Sequence, residues 1–260
     1  MRKTFCLIFA GSTLAFSGMS LADSHEGGEE EANVAAPMEM YACRYNDGKG
    51  PADLDAATKD FNKWADKQDI TDYSAWTLVP YYFSAEQEFD VLWFGAAEKA
   101  TALGRVQDSW LATGTKEAEG FADVMTCDTH AAYSVLTMKQ SPEREGDNGN
   151  LVVTFSDCNT SDGVTFDDLY MPMLEWGKYR EEHGSKAGHW VFFPSFGGGK
   201  ETFEFKWVTA YENLEDLGAD WDQSNESGWK KVNELFRGKV SCDSSRAYMA
   251  TSRRQASNDD

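Results

Sequence analysis

The 260-residue chain carries 44 acidic against 24 basic residues, a formal net charge of −20, and 41% hydrophobic residues, enough for a packed core. So negative a balance argues against nucleic acid as a partner, because that binding depends on Lys and Arg neutralising phosphates. No stretch reaches the roughly 18 apolar residues that a membrane helix needs, so no membrane span is expected.

The chain begins with Arg2-Lys3, an apolar run from Phe5 to Phe16, and Ser20-Leu21-Ala22. A charged segment, a short apolar segment and small residues in that order read as a secretory signal over residues 1–22. Its removal takes away Cys6, Arg2 and Lys3, leaves four of the five cysteines and moves the formal charge from −20 to −22. An even cysteine count in an exported chain reads as disulfides, and the expected location is periplasmic or secreted. Residues 23–37 are acidic and small and read as a flexible leader.

From there the chain writes one unit twice. Cys43-Arg-Tyr-Asn-Asp-Gly runs to Cys127, and Cys158-Asn-Thr-Ser-Asp-Gly runs to Cys242; the interval is 84 residues in each. Between these ends Asp53-Leu54 matches Asp168-Leu169, Trp76 matches Trp190, Trp93 matches Trp207, and Leu103-Gly104 matches Leu217-Gly218. Phe121 and Tyr133 likewise match Phe236 and Tyr248. This is a tandem duplication, with repeat 1 over 38–140, a polar linker over 141–150, repeat 2 over 151–253 and a polar, frayed tail over 254–260.

Each copy has the same expected order. A strand (38–45, 151–159) is followed by a helix with Asp53 or Asp168 as N-cap. Leu54, Ala57, Phe61 and Trp64 fall on one helical face, as do Leu169, Met173, Trp176 and Tyr179. Second strands (76–83, 189–196) and third strands (89–94, 203–208) come next, then helices through Leu103/Leu217 and Phe121/Phe236, and a last strand from Cys127 or Cys242. Asp47-Gly48 and Asp162-Gly163 read as turns.

The order β-α-β-β-α-β, twice, is the ferredoxin-like unit, with strand order 4-1-3-2. First and last strands are then antiparallel neighbours, so the pairs Cys43–Cys127 and Cys158–Cys242 are expected. The fold class is α+β, two such repeats packed as a pseudo-dimeric barrel. Two such units in one chain resemble the dimeric α+β-barrel superfamily, in which two four-stranded sheets pack around a cavity. Its members include cofactor-free monooxygenases, NIPSNAP-like proteins and, in duplicated form, the haem-containing chlorite dismutases. No motif here matches a catalytic signature of these proteins, so no residue role carries over from the resemblance.

The residues offer few chemical signatures. There is no G-x-S-x-G, P-loop or strand-following G-x-G-x-x-G. The histidines His25, His130, His183 and His189 lack metal-site spacing, so no metal is expected and no cofactor is identifiable. The alternative is haem, which needs a single axial histidine; His189 or His183 could serve. Strand alternation sets Phe89, Val91 and Trp93 toward the helices, with Phe203, Phe205 and Trp207 in the second copy. Asp90, Glu204 and Lys206 then face the opposite sheet. The cysteine parity of the outer strands brings Tyr41, Tyr45, Tyr133, Arg246 and Tyr248 to the same interior. That wall could hold a small amphipathic molecule between the repeats, or simply seal a filled interface. Three functions stand: a small-molecule-binding protein, a monooxygenase-like or haem enzyme, and a structural or interaction protein.

Overall fold

The computed structural model describes residues 33–142 and 149–257; the signal segment, His25, most of the leader and the middle of the linker lie outside the described residues. The first half runs β1 (Ala36–Tyr45), α1 (Pro51–Lys67), β2 (Ser74–Tyr82), β3 (Val91–Ala96), α2 (Ala100–Thr113), α3 (Thr115–Val124) and β4 (Met125–Lys139). The second runs β5 (Leu151–Thr160), α4 (Asp167–Glu182), β6 (Gly188–Phe196), β7 (Phe205–Tyr211), α5 (Leu214–Gln223), a π-helical turn (Ser224–Gly228), α6 (Trp229–Phe236), β8 (Val240–Cys242) and β9 (Arg246–Arg254).

All pairings are antiparallel. The strands follow the order β7-β6-β4-β1-β3-β2-β9-β5, and β5 pairs with β7 to close an eight-stranded barrel. β8 continues the line of β9 along β5. Within the halves the orders are β4-β1-β3-β2 and β9-β5-β7-β6, the expected 4-1-3-2 in both. β4 and β9 each pair on both edges, with β6 and β2 respectively, and so join the halves. The expected disulfides are present: Cys43 bonds Cys127 and Cys158 bonds Cys242. Each closes an 84-residue loop, worth roughly 4–5 kcal/mol on the chain-entropy estimate.

Gly48 and Gly163 turn the chain after β1 and β5 with φ of 75° and 78°, a conformation that favours glycine. Asp53 and Asp168 are not N-caps. They lie inside the first helical turn, where the Asp53 carboxylate accepts from the Gly50 amide and Asp168 accepts from the Thr165 amide and hydroxyl. The leader ends earlier than expected, since β1 begins at Ala36. The described part of the tail is held, not frayed: Arg254 pairs with Asp66, and the amides of Ala256 and Ser257 donate to Ser74 and Thr71.

One apolar cluster fills the barrel, with Trp76, Leu92, Phe94, Phe155, Trp190 and Phe192 among its members. Separate clusters lie outside, between the strands and the helices: Phe61, Trp64 and Trp93 in the first half, and Met173, Trp176 and Phe205 in the second. Because β2–β9 and β4–β6 are the strand pairings that join the halves among the described residues, residues 38–140 expressed alone leave two edges and an apolar interior unpaired. That fragment should aggregate or self-associate in gel filtration; a stable monomer with well-dispersed NMR signals would contradict the closure.

Candidate functional site

The interior of the barrel leaves almost no room. Its void is about 40 Å³, lined only by apolar side chains such as Trp76, Phe94, Phe155 and Trp190. That is space on the scale of a water or two, and without polar partners to hold them.

Backbone register brings Tyr133, Tyr248, Arg246 and Lys206 of the expected wall to the interior face, Arg246 opposite Phe155 and Lys206 opposite Phe192, but not Tyr41 and Tyr45. Cys43 and Cys158 face the helices, packed with Leu54 and Leu169. Tyr41 and Tyr45, which share the parity of Cys43, therefore also face the helices. On β4 the register with β1 slips between Ala42 and Cys43, so that Asp128 is an extra residue. The second half has the same feature, because Cys158 pairs with Cys242 while Phe155 pairs with Arg246. The inserted residue reverses the parity of each last strand beyond its cysteine. Tyr133 and Tyr248 consequently enter the barrel cluster. Burial, followed by the charges of Glu201 and Asp157, pushes the Tyr133 hydroxyl up to about 12, so it is a neutral part of the core.

The remaining expected residues are tethers. The Tyr45 amide donates to Asp90, and the Thr160 amide and hydroxyl donate to Glu204, both at the surface. Lys206 bonds Asp157, and Arg246 pairs with Asp157 and Asp243, so these charges are matched within the protein. Val91 and Trp93 face the helices as expected, but Phe89 turns inward and stacks on Tyr248 at 6.2 Å.

A polar void of about 230 Å³ lies elsewhere, between the outer face of β5 and β7 and helix α4. Thr154, Ser156, Arg180, Thr209, Tyr211 and Ser245 give it its polar lining, with Trp176 and Trp207 beside them. Cys242 and Ser245 form an exposed rim. The hydroxyls of Ser156 and Ser245 hydrogen-bond each other at 2.7 Å. At the closed end, buried Arg180 pairs with Asp220 and donates to Nε2 of His189, while its second terminal nitrogen donates to the Tyr211 hydroxyl at 3.4 Å. The Nδ1 atom of His189 lies within hydrogen-bond distance of the Thr209 hydroxyl, at 3.0 Å.

The same place in the first half holds larger side chains. Two residues before Cys43 stands Tyr41, where Ser156 stands before Cys158; three after Cys127 stands His130, where Ser245 follows Cys242. Tyr41 and His130 stack at 3.8 Å, and His130 reaches Glu39 at 3.2 Å. Buried Glu39 also accepts from Tyr73 and Gln107, each at 2.9 Å. The void is thus what remains when a stacked Tyr–His pair is replaced by two serines. A search for residues unique to one copy stops at the histidines when it looks only for reactive types. Reading small residues opposite large ones in the aligned copies finds Ser156 and Ser245.

His189 supplies a test of the closed end. Full burial, with the nearby Arg180 cation adding to it, holds its pKa well below the ordinary value. The unfolded chain takes up this proton near pH 6.5, and the folded chain resists it. The resulting stability is complete above that pH and is lost as pH falls below it toward the folded pKa, at up to about 1.4 kcal/mol per pH unit. His189→Gln, which keeps an acceptor for Arg180, should flatten that part of the Tm–pH profile between pH 7 and 5; an unchanged slope would contradict the assignment.

No family model and no curated protein matches this sequence. Solved structures do. A haem-binding protein from Thermus thermophilus is 8% identical, with a TM-score of 0.50 over 84% of this chain and 91% of its own. A monooxygenase-like protein from Lactobacillus acidophilus is 9% identical, with a TM-score of 0.50 over 86% and 96%. A mutant chlorite dismutase from Candidatus Nitrospira defluvii is 8% identical, with a TM-score of 0.49 over 83% and 92%. At these identities the likeness is one of fold alone: an antiparallel eight-stranded α+β barrel with its helices outside.

Proposed function

We propose that this chain is an exported protein that binds a small molecule in the void beneath α4, outside the barrel. The observation that carries the reading is the asymmetry of the two outer faces: one is packed with Tyr41, His130 and Glu39, and the other keeps a polar void of about 230 Å³ beside a buried arginine. The equal disulfide loops and the repeated 4-1-3-2 strand order support a tandem ferredoxin-like duplication, in which one copy kept a packed face and the other opened. Two disulfides, together with the signal-like first residues, support an oxidising, extracytoplasmic location. The filled interior moves the proposed ligand away from the space between the repeats.

Haem, the alternative that some structural neighbours bring to mind, does not fit these residues. Neither described void is lined by a histidine. His189 has both ring nitrogens engaged, by Arg180 and Thr209, and His183 and His130 are exposed on the surface. The void is also below the roughly 300–1,000 Å³ usual for organic ligands, which points to a compact molecule or molecular head.

Ser156→Tyr combined with Ser245→His should refill the void in the manner of the first half and keep the fold. In a thermal-shift panel of small polyols, amides, phenols and carboxylates, at least one compound should raise the Tm of the natural protein and leave the refilled variant unmoved. Equal shifts in both proteins, or a panel without effect on either, would overturn the reading.

A further inference from the structure

An exposed apolar strip on the outer face of β2 and β9 runs in register toward the void. Val79 on β2 pairs with Met249 on β9, Met249 pairs with Val152 on β5, and Val152 pairs with Tyr211, which lines the void. One step along the strands, Tyr82 pairs with Ala247, Ala247 with Thr154 and Thr154 with Thr209, the last two lining the void. Residues directly opposite across antiparallel strands share a face. With strands about 4.8 Å apart, Tyr82 lies roughly 10 Å from Thr154 along that face. Val79, Tyr82 and Met249 are 43%, 52% and 39% exposed, and buried Val152 and Ala247 lie between them and the void.

The charges define the head group that this face would take. Arg180 is matched by Asp220, and His189 is neutral, so the void offers hydroxyls and N–H donors without uncompensated positive charge. The surrounding protein carries a formal charge of −20, which repels anions. Five hydroxyls line the void, those of Thr154, Ser156, Thr209, Tyr211 and Ser245.

We infer that the ligand is amphipathic, with an uncharged, hydroxyl-bearing head in the void and an apolar body laid along the strip of Met249, Val79 and Tyr82. This rests on the reading of the void as a binding site. The head meets donors and acceptors in the void, and the body covers apolar side chains that otherwise face water.

Isothermal titration calorimetry with octyl glucoside below its micelle concentration, glucose and octanoate separates the parts. Octyl glucoside should bind at least tenfold more tightly than glucose and than octanoate. Tyr82→Ser with Met249→Ser should reduce octyl glucoside to the affinity of glucose, and the refilled Ser156→Tyr, Ser245→His variant should lose octyl glucoside binding. Octanoate binding more tightly than octyl glucoside, yet lost in the refilled variant, would overturn the uncharged head and leave the site standing. Octyl glucoside binding that the strip variant does not weaken would overturn the strip. Octyl glucoside binding undiminished in the refilled variant would overturn the site itself, and no heat from octyl glucoside would overturn this inference alone.

Discussion

The closure of the barrel rests on two strands that each pair twice. β4 runs for 15 residues, holding β1 along one edge and β6 along the other; β9 holds β2 and β5 in the same way. With those pairings every barrel strand has two neighbours, and the open edges of two four-stranded sheets disappear. An eight-stranded barrel has an interior about wide enough for its own side chains. Here Trp76, Phe94, Phe155, Trp190 and Phe192 fill it, and the polar void lies instead in the layer between strands and helices.

The disulfides and the inserted residues act together on that arrangement. Each disulfide joins first and last strand on the helix side, where Cys43 and Cys158 are buried to 1% and 0% exposure. Were the last strands regular, Tyr133 and Tyr248 would share the side of their cysteines. The extra residue after each cysteine turns them inward, where Tyr248 meets Phe155 and Phe89 and Tyr133 meets Phe192.

Much of this architecture is local enough to be read from residues. The strand order and the disulfides follow from spacing, and the alternation of Val91, Leu92 and Trp93 separates interior from helix face correctly. The side chains of the expected site are less legible, because their placement depends on the relation between cysteine parity and barrel interior. That one assumption carries Tyr41 and Tyr45 to the wrong face. Tyr133 and Tyr248 reach the right face only because an insertion, invisible in composition, reverses the strand. Asp90 and Glu204 look alike for a different reason: both hold the end of a first strand by accepting its backbone amide. The void requires a comparison of volumes, Tyr41 against Ser156 and His130 against Ser245, and not a search for reactive residue types.

The two halves thus use one scaffold differently. In the first, Glu39, Tyr41, Tyr73 and His130 close the space between sheet and helices with a satisfied polar network. In the second, serines leave it open, and Arg180, Asp220 and His189 form a matched, nearly neutral end wall. The proposed ligand lies at that wall, outside the filled barrel interior. Fluorine NMR of fluorotryptophan-labelled protein distinguishes the two places directly, since Trp176 and Trp207 line the void while Trp76 and Trp190 lie in the barrel. Adding octyl glucoside should shift the resonances of Trp176 and Trp207 and leave those of Trp76 and Trp190 in place; shifts confined to Trp76 and Trp190 would contradict the account.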